Sequence, residues 1–368
     1  MLLNTKKVPA VDCPSYVKDW INKWSGLEFE DVTLKQIAEI KPKTFLIDED
    51  SILKNMDEVF HVMEKNCINE MVIHALHIYK FNHDTLDRLD RLAAGKKVHL
   101  ISMSYLLRDF DNIISYSHDM IEHGISHDFN YILSERLQNR REPHLDFIFI
   151  VNVKNQFRTD ISNALIQSGT LRNSFVRNGG QDRFAQVRGK QSQLLEYLGK
   201  EMPGNMCMDA LRSWYALPDF QAYEQAFCDI VVESANGHLD TTQNSRFSDL
   251  SEKTYRPIAL GVPFVFLGSK EMFYKLCNDG YHIIDDGNFY NKWHGSENLK
   301  TALPHLINFL EKIVVDKVLR NKLLSMARHN YKNFWTYRKL DHRKHNEKIC
   351  RECFGETVFD NIYDLLKV

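Results

Sequence analysis

An α/β protein with two Rossmann-like domains facing a cleft is predicted by three observations. Apolar runs of strand length alternate with helical patterns, and the alternation restarts after a charged, proline-containing segment. The chain, at 368 residues, is also longer than one ordinary core serves. In the first half, "KTFLIDEDS" (43–51) reads as a buried strand ending in acids. "NEMVIHALHIY" (69–79) and "KKVHLISMSY" (96–105) read as further strands. Between them "ILKNMDEVFHVMEKN" (52–66) and "HDTLDRLDRLAAG" (83–95) carry helical patterns, and strands alternating with helices argue a parallel sheet. The stretch 118–142 reads as a polar helix that runs into Gln138–Pro143, taken as the boundary.

A second cycle follows. "LDFIFIVNV" (145–153) reads as a strand, 158–171 as a helix, and "FCDIVVESA" (227–235) as another buried strand. "SEKTYRPIALG" then gives helix and turn, and "VPFVFLG" (262–268) a strand. Residues 269–281 read as a helix, "HIIDD" (282–286) as a short strand, and 297–335 as helices. The domains are therefore expected at 1–142 and 143–335, with a helical tail, 336–368, crossing back to the first lobe. In open α/β sheets ligands bind at the carboxyl ends of the strands.

Composition excludes several classes. With 43% hydrophobic and 26% charged residues the chain is an ordinary globular one. Lys plus Arg (47) against Asp plus Glu (49) leaves −2, so no global basic field for nucleic acid exists, although local patches do. The first residues lack the apolar core of a signal peptide, and the run Ile258–Gly268 is too short to span a bilayer. No membrane association is expected. Seven scattered cysteines without a secretion signal read as reduced thiols in a cytoplasmic protein. Neither a Walker lysine loop nor a dinucleotide Gly-x-Gly-x-x-Gly occurs.

The segment richest in chemistry is "SEKTYRPIALGVPFVFLG" (251–268). Ser251, or Asp249 before it, can cap a helix whose first turn holds Glu252, Lys253 and Thr254. A helix N-terminus offers N–H groups and partial positive charge to a phosphate, and Lys253 adds a full charge there. Glu252 is an acceptor suited to sugar hydroxyls. The plainer alternative is a solvated salt-bridging pair at a helix start.

With the strand "VVES" (231–234) before it and a Gly-Val-Pro turn and a strand ending in Gly after it, this segment resembles the nucleotide-sugar motif of the α-1,3-fucosyltransferase family and related phage-encoded glycosyltransferases. There a strand ending in Phe-Glu-Asn-Ser precedes Thr-Glu-Lys, a helix, Gly-x-x-Pro and a strand ending in Gly. Here Glu233 is followed by Ser without the Asn. "FIFIVNVKNQFRTDISNAL" supplies Asn152, Asn155 and Arg158 in the order that opens the second domain of that family. The resemblance covers about residues 145–335. It implies a GT-B-like glycosyltransferase with 1–142 on the acceptor side and 143–335 binding the nucleotide-sugar, a UDP- or GDP-linked co-substrate.

By the same resemblance, Arg158 and Lys253 hold the donor diphosphate with Asn155, Ser251 and Thr254 beside them. Glu252 binds ribose, and Glu233 the sugar or its developing positive charge. Cations at the leaving diphosphate stabilise transition-state charge, so no metal and no other cofactor is required, and inverting transfer is implied. "IIDDG" (283–287) is a weak substitute for an Asp-x-Asp metal motif. An acceptor base is expected from the first lobe, where Asp48, Glu49 and Asp50 follow a strand; the alternative for them is helix capping by Asp50 or Ser51. His118, Asp119 and His123 are rival bases.

Two basic stretches interleave with aromatics: 170–191, with Arg172, Arg177, Arg183, Arg188 and Lys190, and 331–348, with Arg338 and Arg343. Such patches suit a phosphate backbone and unstacked bases, or are simply solvated faces. They admit DNA as the acceptor, with a hydroxylated base of phage DNA flipped into the cleft; a glycan or a protein side chain is the alternative. A non-catalytic nucleic-acid-binding protein and a degenerate enzyme acting as an interaction module are the rival classes. His342, His345, Cys350 and Cys353 have zinc-ligand chemistry, but their short spacing in a helical stretch favours a basic helix with incidental cysteines.

Overall fold

Val8–Val11 (β1), Phe29–Asp31 (β2), Thr44–Asp48 (β3), Glu70–Ala75 (β4) and Lys97–Ser102 (β5) belong to one parallel sheet. After the two-residue strand Tyr105–Leu106 (β6), Ile113–Ser117 (β7) completes it in the order β2-β1-β3-β4-β5-β7. The structure, a computed structural model, describes residues 7–75, 81, 83–102, 105–106, 110–117, 134–138, 142–151, 156–178, 217–233, 239, 247–248, 250–283 and 288–355. Contacts divide the chain into two units, Met1–Asp119 with Leu340–Val368, and Met120–Lys339.

The inner strands of the first unit are mostly apolar because both faces of a parallel sheet are covered. Phe45, Leu46 and Ile47 are at most 1% exposed. Helices Ser15–Ser25 (α1), Leu34–Ile40 (α2), Glu49–Lys65 (α3) and His83–Leu92 (α4) connect the strands. The step from β1 through α1 to β2 runs one way along the sheet, and that from β3 through α3 to β4 the other. Right-handed crossovers therefore set α1 and α3 on opposite faces. The direction of winding reverses between β1 and β3, the kind of point at which open α/β sheets bind ligands beyond the strands' carboxyl ends. On the α1 face, Val17 and Ile21 pack with Leu46, Val72, Ile349 and Cys350.

The second unit repeats the order with four strands. Leu145–Val151 (β7 is followed by this strand, β8), Ser174–Asn178 (β9), Ala226–Val232 (β10) and Phe264–Leu267 (β12) are parallel in the order β12-β10-β8-β9. Phe247–Ser248 (β11) is a two-residue strand. The reversal here lies between β8 and β10. Gln156–Gln167 (α5) leads from β8 to β9, Leu217–Gln225 (α6) precedes β10, and Glu252–Leu260 (α7) precedes β12. Lys270–Asn278 (α8), Phe289–Gly295 (α9), Leu299–Val315 (α10) and Lys317–Asn333 (α11) follow. The π-helical turn Phe334–Arg338 leads into Lys339–Phe354 (α12), which packs into the first unit through Ile349, Cys350 and Cys353.

Two expectations change. Residues 282–283 of the expected "HIIDD" strand (282–286) are not a strand, and 284–286 lie outside the described residues. Of the stretch 118–142 expected as a helix, residues 134–138 are helical, and 118–133 and 139–141 lie outside the described residues. The basic stretch after residue 170 contributes an edge strand, β9, paired with β8 from Phe147↔Ser174 to Val151↔Asn178.

One buried polar contact makes the first unit acid-sensitive. His99 on β5 is 1% exposed, and its Nδ1 lies 3.1 Å from the Tyr116 hydroxyl of β7, which also hydrogen-bonds Glu352 of α12. Burial, then Lys97, lowers the His99 pKa from 6.5 to about 4 against the opposing pull of Glu70 and Glu352. Between those two values the unfolded chain binds a proton that the folded one does not, so stability falls as pH falls from 6.5 towards 4 and the slope vanishes below. The loss across that window is on the order of 2–3 kcal/mol. Urea midpoints at pH 7 and 4.5 should differ less for His99→Phe than for the native chain; an unchanged difference assigns the acid sensitivity elsewhere.

Candidate functional site

The reversal point of the second sheet gathers the charged groups. Val232 ends β10, and the Glu233 N–H still donates to the Leu267 carbonyl of β12 at 3.0 Å, holding the next residue at the sheet's carboxyl edge. From the β8 side, Arg158 in the first turn of α5 is 4% exposed and its Nη2 donates to the Val232 carbonyl at 3.4 Å. An arginine from the first crossover thus sits against the end of the strand on the other side of the reversal.

Helix α7 is aimed at the same edge. Ser251 is its N-cap, its Oγ accepting from the Lys253 N–H at 3.3 Å. The other end is fixed by Gly261, left-handed at φ 65°, with the Val262 N–H on the Pro257 carbonyl at 2.9 Å and the Gly261 N–H on the Ile258 carbonyl at 3.1 Å. Trp335 Nε1 and Gln138 Nε2 donate to the Ala259 and Leu260 carbonyls, so both termini of this nine-residue helix are held by side chains.

Glu233 joins the strand to the helix. Its side chain is fully buried. Oε1 accepts from the Ser251 N–H at 3.0 Å and from the Thr254 hydroxyl, and Oε2 accepts from Ser251 Oγ at 2.7 Å. The Lys253 ammonium lies 3.6 Å from Oε2 and donates to Ser251 Oγ at 3.0 Å. Burial alone pushes the Glu233 carboxyl up, but Lys253, Thr254 and Ser251 together outweigh it and hold the carboxyl below its usual range. Two cations, Arg158 against the Val232 carbonyl and Lys253 against the Glu233 carboxylate, thus stand beside a helix N-terminus at the strand ends.

Among the residues expected to bind the donor, Arg158, Ser251, Lys253 and Thr254 stand at this edge with Glu233. Asn152 and Asn155 lie outside the described residues, as do Asp249 and the side chain of Glu252. The cap is Ser251. In the first unit, Asp48 ends β3 and Asp50 follows it at that sheet's own reversal point. The cap of α3 is Asp48, whose Oδ2 accepts from the Asp50 N–H at 3.1 Å, rather than Asp50 or Ser51. Asp48 is 8% exposed and Asp50 is exposed; burial raises the Asp48 carboxyl above its ordinary value despite the Asp50 N–H. Sequence reading missed Asp12, which follows β1 at φ 51° and accepts from Ser51 Oγ at 2.7 Å. Its position after a four-residue strand containing Pro9 gave no strand signal.

The basic residues are partly visible. Arg172 is exposed before β9 and Arg177 half-buried on it. Arg183, Arg188 and Lys190 lie outside the described residues, as do the side chains of Arg338, His342 and Arg343. His118, Asp119, His123, Asp285 and Asp286 also lie outside them. Cys350 and Cys353 are buried in the apolar layer of the first unit, whereas His345 is exposed. Burial pushes the Cys350 thiol up to about 12 and the Cys353 thiol well above its usual value. Among the described residues no group of three or more His, Cys, Asp or Glu is placed to hold a metal ion, and no helix is long and apolar enough to cross a membrane.

No family model matches the chain, and no curated protein matches it. Among solved structures, a glycosyltransferase from Rickettsia africae ESF-5 aligns over 96% of this chain and 100% of its own, at 13% identity and a TM-score of 0.43. What fold and site define is an α/β protein with two parallel, doubly wound sheets, the second gathering Arg158, Lys253 and Glu233 at one edge.

Proposed function

We propose that the protein is a glycosyltransferase of the two-domain, GT-B-like kind that moves a sugar from a UDP- or GDP-linked donor to an acceptor hydroxyl. The observation that carries this reading is the convergence of Arg158, Lys253 and the N-terminus of α7 on the reversal point of the second sheet. Anions are favoured there by full charges and by the helix dipole together. The Glu252-Lys253 pair and the Arg158 helix start, in the order of the α-1,3-fucosyltransferase motif, make a nucleoside diphosphate the fitting anion.

In the proposed reaction the acceptor oxygen attacks the anomeric carbon, and the bond from that carbon to the diphosphate oxygen breaks. Arg158 and Lys253 stabilise the negative charge that the leaving diphosphate gains. Glu252 takes ribose hydroxyls. The acceptor proton goes to a carboxylate of the first unit, Asp48 or Asp50, giving direct displacement with inversion and no metal at the diphosphate. The acceptor is proposed to be a hydroxylated base in DNA, as in the related phage enzymes, with Arg172 and Arg177 among its phosphate contacts.

The test is a thermal-shift panel of UDP, GDP and CMP with their sugars, followed by transfer assays with the donor that binds. A ligand present at about 100 times its Kd stabilises the native state by about 2.7 kcal/mol, enough to shift the transition by several degrees. One nucleoside diphosphate should stand out, and its sugar should be transferred to hydroxymethylated duplex DNA. Transfer to a glycan instead corrects the acceptor. DNA binding with no response to any nucleotide supports a nucleic-acid-binding protein and ends the glycosyltransferase reading.

A further inference from the structure

We propose that Glu233 is a positioning residue, not a sugar ligand: its carboxylate orders the first turn of α7 and the Lys253 ammonium for a diphosphate. This rests on reading the edge as a nucleoside-diphosphate site. A carboxylate has about four lone-pair directions. At Glu233 these meet four protein groups: the Ser251 N–H and Thr254 hydroxyl at Oε1, and the Ser251 hydroxyl and Lys253 ammonium at Oε2. With the side chain fully buried, no acceptor capacity faces outward for a sugar hydroxyl.

Charge leads to the same conclusion. A carboxylate beside an anion site opposes the anion through space. Its contribution to binding must then come from the geometry it imposes. Ser251 is the pivot of that geometry: its hydroxyl donates to Glu233 and accepts from both the backbone and side-chain nitrogens of Lys253. Lys253 is held before the ligand arrives, so a flexible cation loses less conformational freedom on binding. Thr254, fully buried, closes the clamp one residue further into the helix.

Through-space and positioning roles predict opposite signs for Glu233→Gln, which keeps the shape but removes the charge and half the accepting capacity. Positioning predicts that the Kd of the nucleoside diphosphate bound by the native chain rises tenfold or more, and that amide exchange at Ser251 quickens while β8 and β12 stay protected. An unchanged or tighter Kd overturns the proposal. Should Glu233→Gln fail to fold, Thr254→Val removes one donor at nearly constant volume; a Kd raised threefold or more with faster Ser251 exchange supports positioning, and native values of both overturn it. If the native chain binds neither UDP nor GDP, the diphosphate reading fails. The exchange comparison then decides whether Glu233 orders the helix, and unchanged Ser251 exchange ends that idea as well.

Discussion

Asp48→Asn is expected to lower turnover by about 10²–10⁴-fold, the usual contribution of a general base, while leaving the Kd for the nucleotide within about twofold. The substitution is chosen for what it preserves. Asp48 caps α3 through its bond to the Asp50 N–H, and Asn is as good a cap as Asp, so the helix start survives. Only the ability to take a proton is lost. Asp50, exposed on the same turn, is the control: the base is whichever residue carries the loss when each is replaced by Asn in turn. The pH profile adds a second readout. Burial raises the Asp48 carboxyl above its ordinary value, so native turnover should fall with acid over a range higher than a solvated aspartate would give. That limb should vanish in Asp48→Asn. Turnover unchanged in both variants places the base outside this loop.

Most strands that could be read from sequence share one property, the exception being β12, an edge strand that is nonetheless buried and apolar along its length. β3, β8 and β10 lie inside their sheets, where burial on both faces demands continuous apolar runs, and "TFLI", "FIFIV" and "DIVV" are such runs. The strands not recognised lie at sheet edges or near the chain start. β2 is Phe29-Glu30-Asp31, with both acids exposed; β7 exposes Ile114 and Ser115; β9 lies in a stretch that reads as a basic surface. An edge strand has one neighbour and a solvated side, and charge there is a protection against further pairing, so its sequence resembles a loop. β1 is internal but only four residues long and carries Pro9, whose missing N–H weakens any strand reading.

The site divides along a similar line. The Ser251 cap and the charged first turn of α7 are local features, and residue order alone predicts them. The bonds from Ser251 and Thr254 to Glu233 span 18 and 21 residues, and no local pattern announces them. The sequence therefore suggests a glutamate facing a ligand, whereas folding presents one whose oxygens face protein donors. The two reversal points also differ in charge. The first sheet's carries Asp12, Asp48 and Asp50; the second sheet's carries Arg158 and Lys253 with the buried carboxylate of Glu233. That contrast suits the proposed division between a proton acceptor in the first unit and an anion holder in the second.

Lys253→Ala should weaken binding of the nucleoside diphosphate by about 1.5–3 kcal/mol, or roughly 10–150-fold in Kd, the range for a hydrogen bond to a charged group. Two effects add. The ammonium, 19% exposed at its side chain, no longer reaches the phosphate, and Glu233 loses the cation that lies 3.6 Å from its Oε2. The buried carboxylate then presents more of its charge to the incoming anion. Because both effects act on phosphate charge, the matching nucleoside without phosphate should bind the variant and the native chain alike. The fall in affinity with added salt should be shallower in the variant, since one screened attraction is gone. Arg158→Lys should give a loss of the same kind, because a point charge does not replace a planar fork seated against the Val232 carbonyl. Calorimetric titration of nucleoside and nucleoside diphosphate into the three proteins tests this directly. Equal losses for both ligands would mean that Lys253 supports the pocket's shape and not the diphosphate, and no loss for either would remove Lys253 from the site.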